Sequence, residues 1–387
     1  MLSALKELGF DITVAGMKTD WVGSSSAMAP LAEFKQRFTP NVRLYEDELT
    51  KEEQTLVGRL CRIYGLFKKE PKYEFLERVV YAPRKKVWFS RIADEASPDI
   101  IFTTYLKSAL FMDHAHFKRT KTVMDSIDLF TLNQRMWNIV EPYLLETPLS
   151  IHNVADEVLE LDFIDRFNLK AAANEFKTYD QYDHTLAIVR REEVAIKANT
   201  QHTKVQTIPM MQDTVDVGNT YAGVPFLPIG PNPYNLQGLL YLMKKVLPLV
   251  RASAPSFSIR VGGNIENLIV PEPGISLVGF VSAKSEYTDA CFMPCPVYTG
   301  TGQQVKITEA MAHGVPVVAL QDAAERAGVR HGETGLVARN ADEFAEYMLR
   351  LWNDRALCRT LGKNAKELIA AEYALPNLVK LLSNIVR

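Results

Sequence analysis

The sequence predicts an α/β protein of two doubly wound domains facing each other across a cleft. Three observations predict it. Short apolar runs alternate along the chain with stretches of helical period, the pattern of parallel sheets covered by helices. The chain has 387 residues, more than one domain of roughly 100–200 residues needs. A polar, glycine-bearing stretch from Gln212 to Ala222 reads as a linker between the halves.

Composition narrows the class. Hydrophobic residues make up 47% and charged residues 23%, as expected for a soluble globular protein. A net charge of −2 gives no overall pull toward nucleic acid. The four cysteines, Cys61, Cys291, Cys295 and Cys358, are scattered and read as reduced thiols of a cytoplasmic protein. No second Cys/His pair accompanies Cys291 and Cys295, so no metal site is expected. No apolar run reaches the ~18–20 residues of a membrane span, and no signal peptide is visible. Membrane contact would therefore be peripheral, at the inner membrane face.

In order, Leu2, Leu5 and Leu8 have helical spacing, Gly9 stops the helix, and Ile12–Gly16 reads as a strand. Val42–Tyr45 is a second strand. A polar helical region runs from Leu49 to about Ala96. It carries Lys68-Lys69 and Arg84-Lys85-Lys86, which read as a solvated face or as a contact for an anionic acceptor or lipid headgroups. Ser97-Pro98-Asp99 turns into the strand Ile100–Thr104. His114 and His116 follow on an apolar helix and read as structural. Lys121–Phe130, KTVMDSIDLF, is a strand with two acids near its end. Ligands of open parallel sheets bind outside the carboxyl ends of strands. Asp125 there could orient an acceptor hydroxyl or take its proton, or Asp125 and Asp128 could simply serve turn and cap chemistry. A mixed helical stretch from Asn133 to Tyr182 leads to the strands His184–Val189 and Val205–Pro209.

The second half opens with Val224–Gly230, then a loop containing Asn232, and a helix from Leu239 to Val250 with Asn235 as a plausible N-cap. Phe257–Gly263, including Gly262, is a strand and turn. Ile275–Val281 follows, and amphipathic helices cover the sheet beyond Ala341. The most informative stretch is Pro294–Leu320, PCPVYTGTGQQVKITEAMAHGVPVVAL. It reads as a strand end, a glycine-bearing loop, a helix over Gln303–His313, and a buried strand over Val315–Leu320. Glycines before a helix let the backbone approach an anion, and the free amides of the first turn, around Gln303 and Gln304, point at it. Lys306 adds a positive charge. Glu309 lies two turns in, where a carboxylate could accept two hydrogen bonds from a sugar diol. His313 reads as an exposed helix-end residue.

GTGQQVKITEAMAHGVPVV, followed by HGETGLVARNADEFAEYMLRLWNDRALCRTLGKNAKELI, resembles the nucleotide-sugar-binding segment of the group 1 glycosyltransferases of GT-B fold. The likeness is strong over Val224–Tyr373 and weaker back to Leu2. It implies two Rossmann-like domains: an acceptor-side domain over residues 1–215, a nucleotide-sugar-binding domain over 216–372, and a C-terminal helix, 373–387, crossing back. It implies a first strand and a Gly-rich acceptor-side loop ahead of Leu2, and this sequence has neither. By the resemblance Glu309 holds the ribose of a nucleotide diphosphate sugar. Thr301, Gly302, Gln303, Gln304, Val305 and Lys306 hold its diphosphate, with Gly230, Asn232 and Gly262 contributing. No metal and no cofactor beyond that co-substrate is then required.

The partners implied are the nucleotide sugar and a glycan or lipid-linked acceptor of a surface polysaccharide, with hexosyl transfer under retention. Asp125 and Asp128 resemble a D-x-x-D element of some bacterial sugar transferases. Several positions depart from the family. Phe102 and Thr104 stand where histidines often occur, Arg190-Arg191 where a small polar residue does, and Met210-Met211 replace Asn and Gly. The Arg/Lys pair of the first loop is absent, and Thr301 stands where many relatives carry the first acid of Glu-x7-Glu. Alternative readings are a nucleotide-sugar epimerase, a non-catalytic nucleotide-binding protein of the same fold, and a membrane-surface scaffold.

Overall fold

The structure is a computed structural model that describes residues 1–17, 28–46, 82–216 and 218–387, with Thr55 and Arg59. Cys61, Lys68, Lys69 and the first part of the polar helical region lie outside the described residues.

In the first half, β1 (Val14–Met17) and β2 (Val42–Tyr45) pair in parallel. A four-stranded parallel sheet follows in the order β3 (Ile100–Thr104), β4 (Lys121–Asp125), β5 (His184–Ala187), β6 (Lys204–Thr207). Both faces of this sheet are covered, as a parallel sheet requires. One face packs Met124, Phe117, Phe176, Tyr179 and Ile196. On the other, the C-terminal helix Leu375–Val386 sets Leu378, Leu382 and Ile385 against Ala4, Val123, Leu186 and Ile208. Lys121 Nζ donates to Ile385 O at 3.0 Å, satisfying a helix-end carbonyl.

In the second half, β7 (Phe226–Pro228), β8 (Ile259–Gly262) and β9 (Ile275–Leu277) form one parallel set, and β10 (Met293–Cys295), β11 (Val317–Leu320) and β12 (Gly335–Ala338) another. Phe226 N donates to Phe292 O at 3.2 Å, which brings β7 beside β10. Chain order therefore reverses between β7 and β10. That switch point opens a crevice at the carboxyl ends of the strands.

The segment 141–169 leaves the first half and packs on the second. Leu144, Leu149, Val158, Leu159 and Phe163 share a core with Leu227, Leu239 and Val261. Leu149 exchanges backbone hydrogen bonds with Leu268 and Val270, both at 2.8 Å. Such an apolar, hydrogen-bonded strap fixes the relation of the two halves more firmly than a flexible linker does.

Several expectations from the sequence shift. The strand expected over Lys121–Phe130 ends at Asp125, and a helix, Phe130–Val140, begins where Phe130 was expected to close the strand. The first helix of the second half starts at Pro233 rather than Leu239, and its cap is Asn232, whose side chain accepts from Asn235 N at 2.9 Å. Proline at N1 sets that start six residues earlier than the apolar pattern alone shows. His114 and His116 sit in a turn after a 3-10 segment, Leu106–Phe111, and His116 pairs with Asp94 at 2.7 Å.

Candidate functional site

The chain from Pro296 to Gln304 crosses the mouth of the crevice. Gly300 and Gly302 take φ of +120° and +67°, conformations that disfavour side chains. At Gly302 a Cβ would also meet Ile127 O at 3.2 Å and Asp128 Cβ at 3.3 Å, both across the seam between the halves. The helix Val305–Ala312 begins directly after, with no side-chain cap. Val305 N and Ile307 N are taken by Gln303 O and Gln304 O, both at 3.0 Å, so this end of the helix offers the Lys306 amide and the positive end of the dipole.

Lys306 reaches from this helix to Asn235 Oδ1, and Asn235 Nδ2 in turn donates to Gly230 O at 3.1 Å. This chain of contacts ties the helix after β10 to the loop after β7 and brings Lys306, Asn235, Asn232 and Gly230 together. Burial depresses the Lys306 ammonium to about 8, and the nearby Arg326 guanidinium pushes the same way. An anion in the crevice would offset both costs. Arg326 is itself buried, paired with Asp322 at 2.8 Å, with NH1 donating to Thr301 O at 3.3 Å. It brings a second positive charge to the loop, from the helix Gln321–Arg326, an element the sequence pattern did not single out.

Glu309 is partly buried, and among the described residues its carboxylate has no hydrogen-bond or ion-pair partner. It lies near the buried Tyr287 phenol, whose ionisation it opposes after burial itself. His313 is buried rather than exposed, with Nδ1 2.9 Å from Glu309 O and Nε2 unpartnered. Gln303 turns away, its Oε1 accepting from Met210 N at 2.9 Å. Gln304 occupies the N-cap position and Val305 is exposed. Gly262 lies within β8, where a Cβ would strike the Phe226 ring at 2.9 Å. Its neighbour Gly263, at φ +141°, lets the turn pass where a Cβ would come within 1.7 Å of Ile229 O.

The opposite wall carries acids. Burial raises Asp125 to about 6, and Asp128 is raised mainly by burial too. Asp128 Oδ2 accepts from Asn133 Nδ2 at 2.7 Å and Thr301 Oγ1 at 3.4 Å, which leaves Oδ1 buried and unpartnered. Between the two acids Ile127 sits at φ +61°, and Tyr105 beside them at +64°. For a β-branched residue this is a real outlier of the kind found at functional sites. Tyr105 N donates to Asp125 O at 2.9 Å, and burial followed by Asp128 and Asp125 raises its phenol. Glu192, in the first turn of the helix Arg190–Asn199, accepts from Gly302 N at 2.7 Å. Arg191 beside it bonds Asp322 and donates to Gly300 O at 2.8 Å.

A cavity of about 570 Å³ opens along this seam, lined by Leu132, Met136, Arg191, Glu192, Thr299 and Asp322 among others. Tyr105, Glu192 and Arg326 were not singled out from the sequence. Glu192 carried a usable signal, since it opens a helix just past the carboxyl end of a strand. Arg326 carried none, because nothing local marks its approach to Thr301.

Two Rossmann-like halves, all-parallel sheets and a crevice at the strand ends between them define the GT-B class of fold. Within it, residues 226–354 match the family model described as Glycosyl transferases group 1. A curated relative, an uncharacterized 44.6 kDa protein in the cps region of Klebsiella pneumoniae, is 27% identical over 154 residues. That alignment takes in 36% of this chain and 40% of the relative's length. Solved structures share the fold over nearly the whole chain. A glycosyltransferase from Rickettsia africae has a TM-score of 0.60 at 10% identity, covering 100% of this chain and 92% of that one. HepE from Anabaena, solved in complex with UDP, has a TM-score of 0.57 at 13% identity, covering 97% and 99%. Sucrose-phosphate synthase from Thermosynechococcus elongatus has a TM-score of 0.54 at 17% identity, covering 82% and 78%. Among the described residues no helix is long and apolar enough to cross a membrane.

Proposed function

We propose that this protein transfers a sugar from a nucleotide diphosphate sugar to a glycan or lipid-linked acceptor in surface-polysaccharide synthesis. The observation that carries the reading is the uncapped helix start behind Gly300–Gln304, with Lys306 buried beside it at the switch point of a group 1 domain. The cps-region relative supports the polysaccharide setting, and the UDP complex of HepE supports a nucleotide in the crevice. In this reading the loop amides and Lys306 take the charge that grows on the leaving diphosphate. Glu309, which has no hydrogen-bond or ion-pair partner among the described residues, accepts from the ribose hydroxyls. Asp125 stands on the acceptor wall, with its carboxyl raised toward the range where a proton can be exchanged near neutrality. Hexosyl transfer with retention is the finer form of the proposal, supported by the family likeness of the helix that carries Glu309.

The test is calorimetric titration with UDP, GDP and their sugar conjugates, followed by turnover assays on the conjugate that binds. Binding of one base in preference to the other, abolished or weakened in Glu309→Ala, supports the reading. No binding of any nucleotide refutes it. Sugar isomerised in the absence of acceptor would favour an epimerase instead.

A further inference from the structure

The loop read here as the diphosphate seat already holds a carboxylate. Glu192 is 1% exposed and comes from the other half of the chain. Its Oε1 accepts from Gly302 N at 2.7 Å, and its Oε2 is buried without a partner. An ionised carboxylate in that place would leave one charged oxygen without a hydrogen bond, a costly arrangement. A neutral carboxylic acid leaves something different. Its carbonyl oxygen still accepts from Gly302, and its O–H becomes a buried hydrogen-bond donor in want of an acceptor. Glu192 lines the seam cavity together with Thr299, Gly300 and Thr301, so that donor borders the loop on which a phosphate would sit.

We propose that Glu192 binds the nucleotide sugar as a protonated acid, with Oε1 on the Gly302 amide and the Oε2 hydroxyl donating to a phosphate oxygen seated on the same loop. The inference rests on the reading of that loop as the diphosphate seat. Every element packed on Glu192 bears on its proton. From the loop after β4, Asp128 presents like charge and an unpartnered oxygen of its own. From its own helix, Arg191 opposes protonation, but its guanidinium is turned to Asp322 and Gly300 O. From the second half, Arg326 is paired with Asp322 and Lys306 with Asn235. Behind it, the Tyr179 hydroxyl donates to Glu175 at 2.6 Å. Burial, reinforced by Asp128 and opposed by the Gly302 amide, by Arg191 and by the Leu129 amide from the start of the helix Phe130–Val140, raises the Glu192 carboxyl to about 7. Binding of the diphosphate therefore draws a proton onto the protein from neutral solution. Loss of that proton turns the contact into repulsion.

The experiment is titration of the full chain with UDP-glucose, and GDP-mannose in parallel, from pH 6 to pH 8. Both diphosphates are doubly esterified and do not titrate in this range. A group near 7 changes affinity about tenfold over that interval, and Lys306 near 8 about twofold, so wild-type affinity should fall about twentyfold. Glu192→Gln keeps a hydrogen-bond donor and cannot ionise, so its affinity should fall only about twofold and exceed wild type at pH 8. Titration of the unmodified protein at pH 7 in buffers of different ionisation enthalpy should show uptake of about 0.6 proton per sugar nucleotide. That measurement needs no variant and is immune to misfolding. A flat wild-type profile with no proton uptake overturns the inference, as does a Glu192→Gln profile as steep as wild type. Failure of the wild type to bind either conjugate at any pH overturns the diphosphate seat itself.

Discussion

Glu309→Ala separates binding from folding more cleanly than any other substitution in the crevice. Its carboxylate has no hydrogen-bond or ion-pair partner among the described residues, so truncation leaves no buried group unsatisfied. It also stands in the last turn of the helix Val305–Ala312, where a negative charge opposes the dipole by a few tenths of a kcal/mol, about 0.3–1. Alanine is in addition the better helix former. The folded state should therefore be unharmed, with a melting temperature equal to wild type or slightly higher. Binding should change in the opposite direction. One charge-assisted hydrogen bond is worth about 1.5–3 kcal/mol, and about 1.4 kcal/mol is a factor of ten. The dissociation constant for the sugar nucleotide should rise by about one to two decades, read by calorimetry beside a thermal melt. An unchanged dissociation constant refutes the ribose role, and a lowered melting temperature refutes the claim that this carboxylate is internally free.

Three further outcomes follow from the same seam. Lys306→Met should raise the melting temperature at pH 7, because the ammonium is held against its burial, and should abolish nucleotide binding; a destabilised variant with wild-type affinity contradicts both halves of the statement. Gly302→Ala must place a Cβ at φ +67° and within 3.2 Å of Ile127 O. It should lower stability by about 1–2 kcal/mol in urea titration and weaken nucleotide binding as well, whereas a neutral result would show that the seam gives way freely. The pH dependence of stability has a defined sign. Asp125 near 6 and Glu192 near 7 are raised above their unfolded values, so the native state binds more protons between about pH 4 and 7, and stability falls as pH rises through that window. Glu192→Gln should flatten the fall in melting temperature measured from pH 5 to pH 7.5; a slope identical to wild type would remove Glu192 from the account.

The fold was legible where the pattern is local. Ile100–Thr104 and Val42–Tyr45 coincide with β3 and β2 because each is a short run, mostly of β-branched, aromatic or aliphatic residues, that follows a proline-bearing turn. Errors fall where a cap or a bend outweighs periodicity. KTVMDSIDLF is apolar enough to read as one strand, yet Ile127 at φ +61° breaks it and Phe130 starts a helix. His313 looks like a surface helix end, yet the chain that follows it into β11 buries the ring beside Tyr287. The segment 141–169 has weak periodicity in sequence because its side chains answer to the core of the other half.

The site divides along the same line. The half expected from one loop and one helix, Thr301 to Glu309, is written in a single stretch of sequence, and the structure keeps Lys306 and Glu309 on one helix, beside but outside the lining of the seam cavity. The other half is written nowhere in particular. Asp128 and Glu192 are 64 residues apart, yet they meet adjacent residues of the same loop, Thr301 and Gly302. Only the closure of two domains over each other places them there. The strap that anchors residue 149 beside residues 268 and 270 makes that closure a property of the fold rather than of a bound ligand. The acidic wall is therefore present before any sugar nucleotide arrives. A diphosphate entering such a crevice meets carboxylates it cannot displace by opening the domains, so they must be neutral or neutralised when it binds. Burial raises all three carboxyls, Glu192 to about 7 and Asp125 to about 6, so the burial that closes the seam also shifts these acids toward the form an anion can tolerate, Glu192 further than Asp125.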